Sequence, residues 1–286
     1  MNTATKFAAF VLGSLLFAMG VHAQRAASGP PANPGGDRII GRDTSPLNAE
    51  NSLEIIKPPA PAEEKAYKAF KAFQSMSNED PAKKAHAGEE FLKKYPTTQY
   101  TAFVYSYLMV AYIQAGSPDK GLEAGEKVLQ INPTDYRTMA VLSQALSRMA
   151  NDGTPNQPAQ LAKAESYGKN AVDGVAKLQK PEGVSDANFA SSKDSTLAMA
   201  HSGLGLVDVH KNDYPGAITE LEAAVKLNQS DMTNFYLLGV ASQNSEHYDK
   251  AVAAFEKCST VTGNLQAPCS SGLEQAKKDA AAHPAK

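Results

Sequence analysis

A repeat of 34 residues in the C-terminal half of the chain constrains its fold more than any other feature. The first copy consists of Leu204-Gly205, Ala217, Leu221 and Ala224. The same residue classes return 34 positions later as Leu238-Gly239, Ala251, Phe255 and Cys258. A period of this length is typical of a supersecondary unit that buries its apolar face only against neighbouring units. Small residues at fixed places predict close helix crossings, and Leu221 and Phe255 fill the space between them.

The wider pattern predicts an all-α chain built from helix pairs. Apolar residues recur at spacings of three and four from residue 62 to about residue 282, and Gly, Pro and Asn clusters interrupt them at short intervals. One long helix is expected from Asp186 to Lys211, with Ser185 as its N-cap. The expected units lie near residues 62–97, 102–135, 136–180 with an insertion at 151–160, 198–231 and 232–265, followed by a capping helix at 266–282.

These residues resemble the tetratricopeptide repeat, which has the same period and the same Leu-Gly, Ala and bulky apolar positions. Tyr214 and Tyr248 also match the aromatic residue that precedes the second helix of a unit. The resemblance covers residues 62–282 and is strongest over 198–265. It implies an α-α solenoid, wound as a right-handed superhelix with a C-terminal capping helix. Gly121 and Gly125 depart from the pattern, and we expect them to loosen their helix.

The resemblance also implies a concave groove lined by the first helix of each unit. The groove positions are Phe103, Ser106, Val110 and Gln114; Arg137, Ala140, Gln144 and Arg148; Met199, Ser202, Leu206 and His210; and Thr233, Tyr236, Val240 and Gln243. This mixture of apolar and amide side chains suits a peptide or protein partner. It lacks the Lys and Asn pairs with which some family members bind a C-terminal carboxylate. The register of the weaker units, and whether the N-terminal segment covers some positions, stay open.

The N-terminus has the pattern of a secretory signal peptide. Lys6 precedes an apolar run from Phe7 to Val21, and Val21-His22-Ala23 fits the small-x-small cleavage rule. Residues 1–23 are therefore expected to be removed after Ala23, which places the protein in a periplasm or outside the cell. An N-terminal membrane anchor is the alternative, although the run is shorter than the about 20 apolar residues that a span needs. No stable membrane span is expected in the mature chain.

Residues 24–61 are expected to form a flexible linker rich in Pro and Gly. Two short apolar islands interrupt this composition, Ile39-Ile40 and Leu53-Glu54-Ile55-Ile56. They dock on the folded array or on a partner in one interpretation, and belong to a mobile tether in the other.

Cys258 and Cys269 are the two cysteines of the chain. In the repeat register, both fall in the contact between the last unit and the capping helix. An oxidising compartment favours a disulfide between them, and two buried free thiols are the alternative. Their spacing of eleven does not match the Cys-x-x-Cys pattern of redox enzymes.

Neither catalysis nor metal binding is indicated. The net charge of −2 argues against a nucleic-acid partner, which normally meets a basic stripe. His201 and His210 are nine residues apart in one predicted helix, so they point to opposite sides and cannot share a local metal site. The chain contains none of the common phosphate-binding or nucleophile motifs. We therefore expect no cofactor and no bound metal.

The sequence thus predicts an exported, non-catalytic scaffold that binds a peptide or protein in a concave groove. A second reading is an accessory subunit of bacterial envelope assembly or secretion machinery, suggested by the segment around Tyr95-Pro96. A hydrolase with an unrecognised site is a third reading. The sequence predicts neither the identity of the partner nor an oligomeric state.

Overall fold

The computed structural model describes residues 59–150 and 155–283. Within these ranges the chain forms eleven α-helices and no β-strand. A single 3-10 turn, Pro61–Glu63, leads into the first of them. The helices are α1 Glu64–Gln74, α2 Pro81–Lys94, α3 Thr101–Gln114, α4 Pro118–Ile131, α5 Tyr136–Met149, α6 Gln157–Lys177, α7 Asp186–Lys211, α8 Tyr214–Leu227, α9 Met232–Asn244, α10 Tyr248–Ser259 and α11 Gln266–Ala282.

Three of the predicted regions lie outside the described residues. They are the signal peptide at residues 1–23, nearly all of the linker at 24–61, and residues 151–154 of the predicted insertion. The remainder of that insertion is shorter than expected, because α6 begins at Gln157 and not after Gln160. Pro158 explains this earlier start, since proline is favoured in the first turn of a helix.

The helices form an α-α solenoid, as the repeat predicts. Consecutive helices pack on one another through short turns, giving the pairs α1/α2, α3/α4, α5/α6, α7/α8 and α9/α10. The last helix, α11, packs on α10 and also touches α9, so it closes the array. The first helices α5 and α7 of neighbouring units pack directly against each other, and this contact shapes the inner surface.

Side-chain caps define where several helices begin. The side chains of Asp80, Asp135, Ser185, Asp213 and Asp231 each accept a hydrogen bond from a backbone N–H in the first turn. These bonds satisfy donors that have no partner inside a helix. The long helix from Asp186 to Lys211 and its Ser185 cap are therefore confirmed.

The two copies of the repeat pack in equivalent ways. A Cβ atom built on Gly205 would lie 2.6 Å from Cγ of Leu221, and one on Gly239 would lie 2.6 Å from Cε1 of Phe255. Ala217 and Ala251, the small residues on the second helix of each unit, are completely buried. The close approach therefore depends on glycine on one helix and a large side chain on its partner.

Gly121 and Gly125 do not loosen helix α4, contrary to the prediction from the repeat pattern. Helix α4 is continuous from Pro118 to Ile131. A Cβ atom on Gly125 would lie 2.7 Å from Cδ2 of Leu142, and one on Gly121 would lie 2.6 Å from Cγ1 of Ile113. Large side chains of neighbouring helices thus occupy the space that these glycines leave, so α4 is tightly packed.

Aromatic stacking accompanies a glycine crossing, Gly88 of α2 against Leu108 of α3, at the N-terminal end of the array. The rings of Phe70 and Tyr100 stack with centroids 4.9 Å apart, and Phe73 meets Tyr107 edge to face at 5.5 Å. Phe70 and Tyr100 are both fully buried. Such rings bury large apolar areas, which explains how the least regular unit still joins the core.

A disulfide connects the last repeat to the capping helix. Cys258 of α10 and Cys269 of α11 are bonded, with their Cα atoms 5.8 Å apart, and both residues are fully buried. The ring of Phe255 also lies against Gly272 of α11, where a Cβ atom would be 2.7 Å from Cε1. The cap therefore repeats the glycine-to-ring contact of the unit before it and adds a covalent link.

Candidate functional site

The inner surface is most open along α3. All four predicted groove residues of this helix, Phe103, Ser106, Val110 and Gln114, are half-buried. Helix α3 contains no charged residue, and its sequence is TAFVYSYLMVAYIQ. A helix that is apolar on every side is normally buried on every side. The partly accessible inner face of α3 is therefore an apolar surface with room for further contacts.

A pocket lies beside the inner face of α3. Its volume is about 240 Å³, counted with the solvent space at its mouth. Residues of α3, of the start of α2 and of the α1–α2 turn line it. The lining residues are Asn78, Pro81, Lys84, Tyr107, Val110, Ala111 and Gln114.

Lys84 places a positive charge in the wall of this pocket. The residue is 3 % exposed, and its Nζ donates hydrogen bonds to the carbonyl oxygen of Met76, 3.1 Å away, and to Oδ1 of Asn78. The same nitrogen lies 4.8 Å from the centre of the Tyr107 ring, in cation–π geometry. These contacts compensate the buried ammonium group inside the chain.

Two arginines of α5 occupy predicted groove positions, and each has a carboxylate nearby. Arg137 and Arg148 are half-buried residues at opposite ends of the helix. Burial lowers the pKa of the Arg137 guanidinium to about 10, against the attraction of Asp135. Burial also lowers the pKa of Arg148, against the attraction of Asp231. Arg137 stays positively charged at neutral pH, and Asp135 compensates part of that charge.

Six of the predicted groove residues are buried and do not line an open surface. Gln144, Met199, Ser202 and Tyr236 are buried, with Ser202 and Tyr236 each 2 % exposed. For Gln144, Met199 and Ser202 the cause is the close approach at Gly203 in α7, where a Cβ atom would lie only 2.9 Å from the backbone nitrogen of Gln144. Helices α5 and α7 therefore approach almost to backbone contact and close the groove between them. Ala140 is buried in the same core cluster as Met199. Leu206 and Tyr236 are buried for a different reason, because they pack in the C-terminal cluster that contains Phe255.

The buried polar residues of this closed region form a hydrogen-bonded chain. Gln144 Nε2 donates to Ser202 Oγ at 3.0 Å, and Ser202 Oγ donates to Asn234 Oδ1 at 2.6 Å. Asn234 Nδ2 donates to Asp231 Oδ2 at 3.3 Å. Because the amide and hydroxyl groups satisfy one another across α5, α7 and α9, their role here is internal.

Some of the remaining predicted groove residues are partly accessible, and others form hydrogen bonds within the chain. Thr233 and Val240 are half-buried on α9. Gln243, also half-buried, donates through Nε2 to the carboxylate of Asp279 on the capping helix. His210 lies at the C-terminal end of α7, where its Nε2 is 3.0 Å from the carbonyl oxygen of Ser147. The C-terminal part of the predicted groove is thus largely occupied by contacts within the chain.

Across the described residues, no group of three or more His, Cys, Asp and Glu side chains could hold a metal ion. Nδ1 of His201 is within hydrogen-bond distance of Oε2 of Glu220, at 2.6 Å, and His201 shares helix α7 with His210. Among the helices of residues 59–150 and 155–283, none has the length and apolar character needed to cross a bilayer.

Lys84 is the feature of this surface that the sequence analysis missed. It lies on a second helix, α2, whereas the family pattern directs attention to first helices. Its spacing from Gly88 and Phe91, four and seven residues later, places it on the apolar face of α2. A lysine at that spacing is a signal of a buried charge.

Comparison with known proteins supports the fold. The family model of the tetratricopeptide repeat matches residues 233–264. The crystal structure of a thermophilic TPR protein of Thermus thermophilus is similar at 17% sequence identity and a TM-score of 0.50, covering 73% of this chain and 96% of that one. MamA of Desulfovibrio magneticus RS-1, from residue 41 to its end, aligns at 16% identity with a TM-score of 0.40, covering 66% and 100%.

A search of curated proteins finds no match. At these identities the similarity to solved structures describes the fold alone. The family match and the helix pairing agree on one point: this chain is an α-α solenoid that contains a tetratricopeptide repeat at residues 233–264.

Proposed function

We propose that this protein is a non-catalytic scaffold, exported from the cytoplasm, that binds a peptide or protein partner on the inner surface of its solenoid. The observation that carries the proposal is the uncharged helix α3, whose inner residues Phe103 and Val110 are only half-buried. Tetratricopeptide folds suit protein–protein interaction because stacked helix pairs create an extended concave surface. The binding region is the open part along α3 and the start of α5.

The chemistry of this region defines the ligand. The half-buried side chains of Phe103 and Val110 offer apolar contacts to a partner. Gln114, half-buried at the end of the same helix, offers a side-chain amide that can both donate and accept hydrogen bonds. A peptide segment with apolar side chains and free backbone groups suits this combination.

Export is supported by two independent features. The first is the signal-peptide pattern ending at Ala23. The second is the disulfide between Cys258 and Cys269, because such bonds persist in oxidising compartments and are rare in the cytosol. Fractionation with N-terminal sequencing tests the proposal: a protein recovered outside the cytoplasm should begin at Gln24. A cytoplasmic protein that begins at Met1 would contradict it.

The binding surface is tested by crosslinking and affinity purification from the native source. Val110→Asp places a charge in the apolar face, and Gln114→Glu adds a negative charge at the pocket with less effect on packing. We expect both changes to remove the partner that the wild-type chain retains. Ile131→Asp is the matched control, since Ile131 is 53 % exposed at the end of α4, outside the predicted groove positions. Recovery of the same partner with all three variants would refute the proposed surface.

A further inference from the structure

We propose that the capping helix α11 opens from α10 as a unit, and that the disulfide between Cys258 and Cys269 is formed and reduced only in this open state. The inference goes beyond the proposed function and is independent of the surface along α3. Three observations carry it: the burial of both cysteines, the way α11 is attached, and the loop that joins it to the array.

Both cysteines are inaccessible while α11 is docked. Cys258 and Cys269 are each 0 % exposed, and they belong to the same apolar cluster as Phe255 and Ala276. Thiol–disulfide exchange requires that a thiolate attacks one sulfur atom of the bond directly. A reagent in solution cannot make this contact with a covered sulfur atom. Exchange therefore requires a movement that exposes at least one of the two cysteines.

The reaction in the open state is exchange with an external dithiol. Its thiolate attacks one cysteine sulfur, the bond between the two cysteines breaks, and the second cysteine leaves as a thiolate. The other thiol of the reagent then resolves the mixed disulfide. The protein gains two electrons and two protons, and the dithiol becomes a disulfide. The reverse sequence forms the bond, with an external disulfide as the oxidant, before α11 docks.

Helix α11 ends the array, and α10 and α9 cover one of its sides. On that side the ring of Phe255 lies against Gly272, where a Cβ atom would be 2.7 Å from Cε1. In a repeat array each element is stabilised by its nearest neighbours, so a terminal helix opens at a lower cost than an inner one. The opposite side of α11 carries exposed polar residues: Ser271, Glu274, Gln275 and Lys278.

The polar contacts of α11 with the array lie at its C-terminal end and are easily exchanged for water. Lys277 forms an ion pair with Glu256 of α10 at 3.0 Å, and both side chains are more than half exposed. Gln243 of α9 donates to the carboxylate of Asp279. Exposed ion pairs contribute little to stability. Apolar contacts and the disulfide therefore account for most of the attachment.

The loop between α10 and α11 is suited to act as a hinge. Residues 260–264 are all exposed. Gly263 has a φ of 144°, and the position of a Cβ atom on it faces open space. Glycine adopts this conformation without steric cost, and small residues in exposed loops commonly absorb the dihedral changes of a hinge. Helix α11 can thus move away while α10 keeps its place in the array.

The experiment measures how fast dithiothreitol reduces the disulfide of the native full-length protein, with alkylation and mass measurement of the free thiols. Gly272→Ala places a methyl group against the Phe255 ring and weakens the docking of α11. Gly88→Ala is the matched control, because a Cβ atom there would lie 2.7 Å from Cδ2 of Leu108, at the other end of the array. We expect Gly272→Ala to raise the rate constant of reduction about fivefold or more. Gly88→Ala should leave it within about twofold of the wild-type value.

Reduction of the wild-type protein in low urea tests the inference without a substitution. The logarithm of the rate constant should rise with urea, because opening exposes the surface between α10 and α11. Its slope should be clearly smaller than the urea dependence of global unfolding, since the release of one helix exposes far less surface than the unfolding of the whole array. This measurement remains decisive if Gly272→Ala fails to fold.

Three results would overturn the inference. Equal acceleration by Gly272→Ala and Gly88→Ala, or a urea slope equal to that of global unfolding, would show that exchange requires unfolding of the whole array. A rate constant that neither substitution nor urea changes would show that the sulfur atoms react while α11 is docked. Two free thiols in the native protein would remove the bond on which the inference depends.

Discussion

Gly239 lies against the ring of Phe255 so closely that a Cβ atom would be 2.6 Å from Cε1, and Gly205 lies equally close to Leu221 one repeat earlier. Gly239→Ala is therefore expected to force the ring or the helices apart. We expect a loss of about 1–3 kcal/mol in the free energy of unfolding, measured by urea denaturation. The gain in helix propensity from glycine to alanine, about 1 kcal/mol, offsets part of this loss.

The double variant Gly239→Ala with Phe255→Leu is the matched control, since Leu221 shows that leucine fits the equivalent position. It should recover part of the stability lost in Gly239→Ala. A Gly239→Ala variant as stable as the wild type would show that the crossing tolerates a wider separation.

The disulfide between Cys258 and Cys269 is predicted to stabilise the attachment of the capping helix. It closes a loop of sequence separation 11, for which the chain-entropy model gives about 2–3 kcal/mol. Reductant should lower the urea midpoint of the native protein accordingly. The double variant Cys258→Ser with Cys269→Ser should already unfold at the lower midpoint and show no response to reductant. Two alkylatable thiols in the untreated, exported protein would contradict the pairing.

Asp208 predicts a dependence of stability on pH. Burial, and then the neighbouring carboxylates Asp213 and Glu220, raise the pKa of Asp208 to about 6 from 3.8. The folded protein holds this proton more tightly than the unfolded chain. The contribution of Asp208 to the free energy of unfolding is therefore largest below about pH 4, decreases as pH rises to about 6, and is constant above that.

Asp208→Asn should accordingly raise the free energy of unfolding at pH 7, on the order of 1–2 kcal/mol after solvent screening. Near pH 4 the variant and the wild type should be nearly equal. Asp194→Asn is the control, because Asp194 is exposed on the same helix and its replacement should have little effect. A uniform effect of Asp208→Asn from pH 4 to pH 7 would argue against titration as its cause.

Ser202 links Gln144 to Asn234 in the closed part of the inner surface, at 3.0 and 2.6 Å. Ser202→Ala leaves two buried polar groups without this partner, and we expect a loss of about 1–3 kcal/mol in stability. Thermal or urea unfolding measures the effect, with Ser271→Ala on the exposed side of α11 as the control. Because Ser202 is buried, partner recovery should not change under conditions where the variant is folded. Loss of the partner with unchanged stability would indicate instead that Ser202 contributes to the binding surface.

Much of the fold could be predicted because its signals are local. The bounds of α7 and its Ser185 cap follow from apolar spacing and one hydroxyl group within a few residues. The approach of Cys258 to Cys269 follows from the repeat register, which places both in one contact. The start of α6 differs from the expectation because the first-turn preference of Pro158 outweighs the repeat pattern there.

The sequence by itself determined the helix pairs, their period and the small residues at their crossings, since these depend on neighbours within one repeat. Only the tertiary structure decided which part of the inner surface is open. Gly203 meets the backbone of Ser143 and Gln144, some sixty positions away, and thereby closes the groove between α5 and α7, whereas α3 keeps a partly accessible face. The exposure of a groove position depends on the distance between helices, and contacts between residues far apart in the chain set that distance.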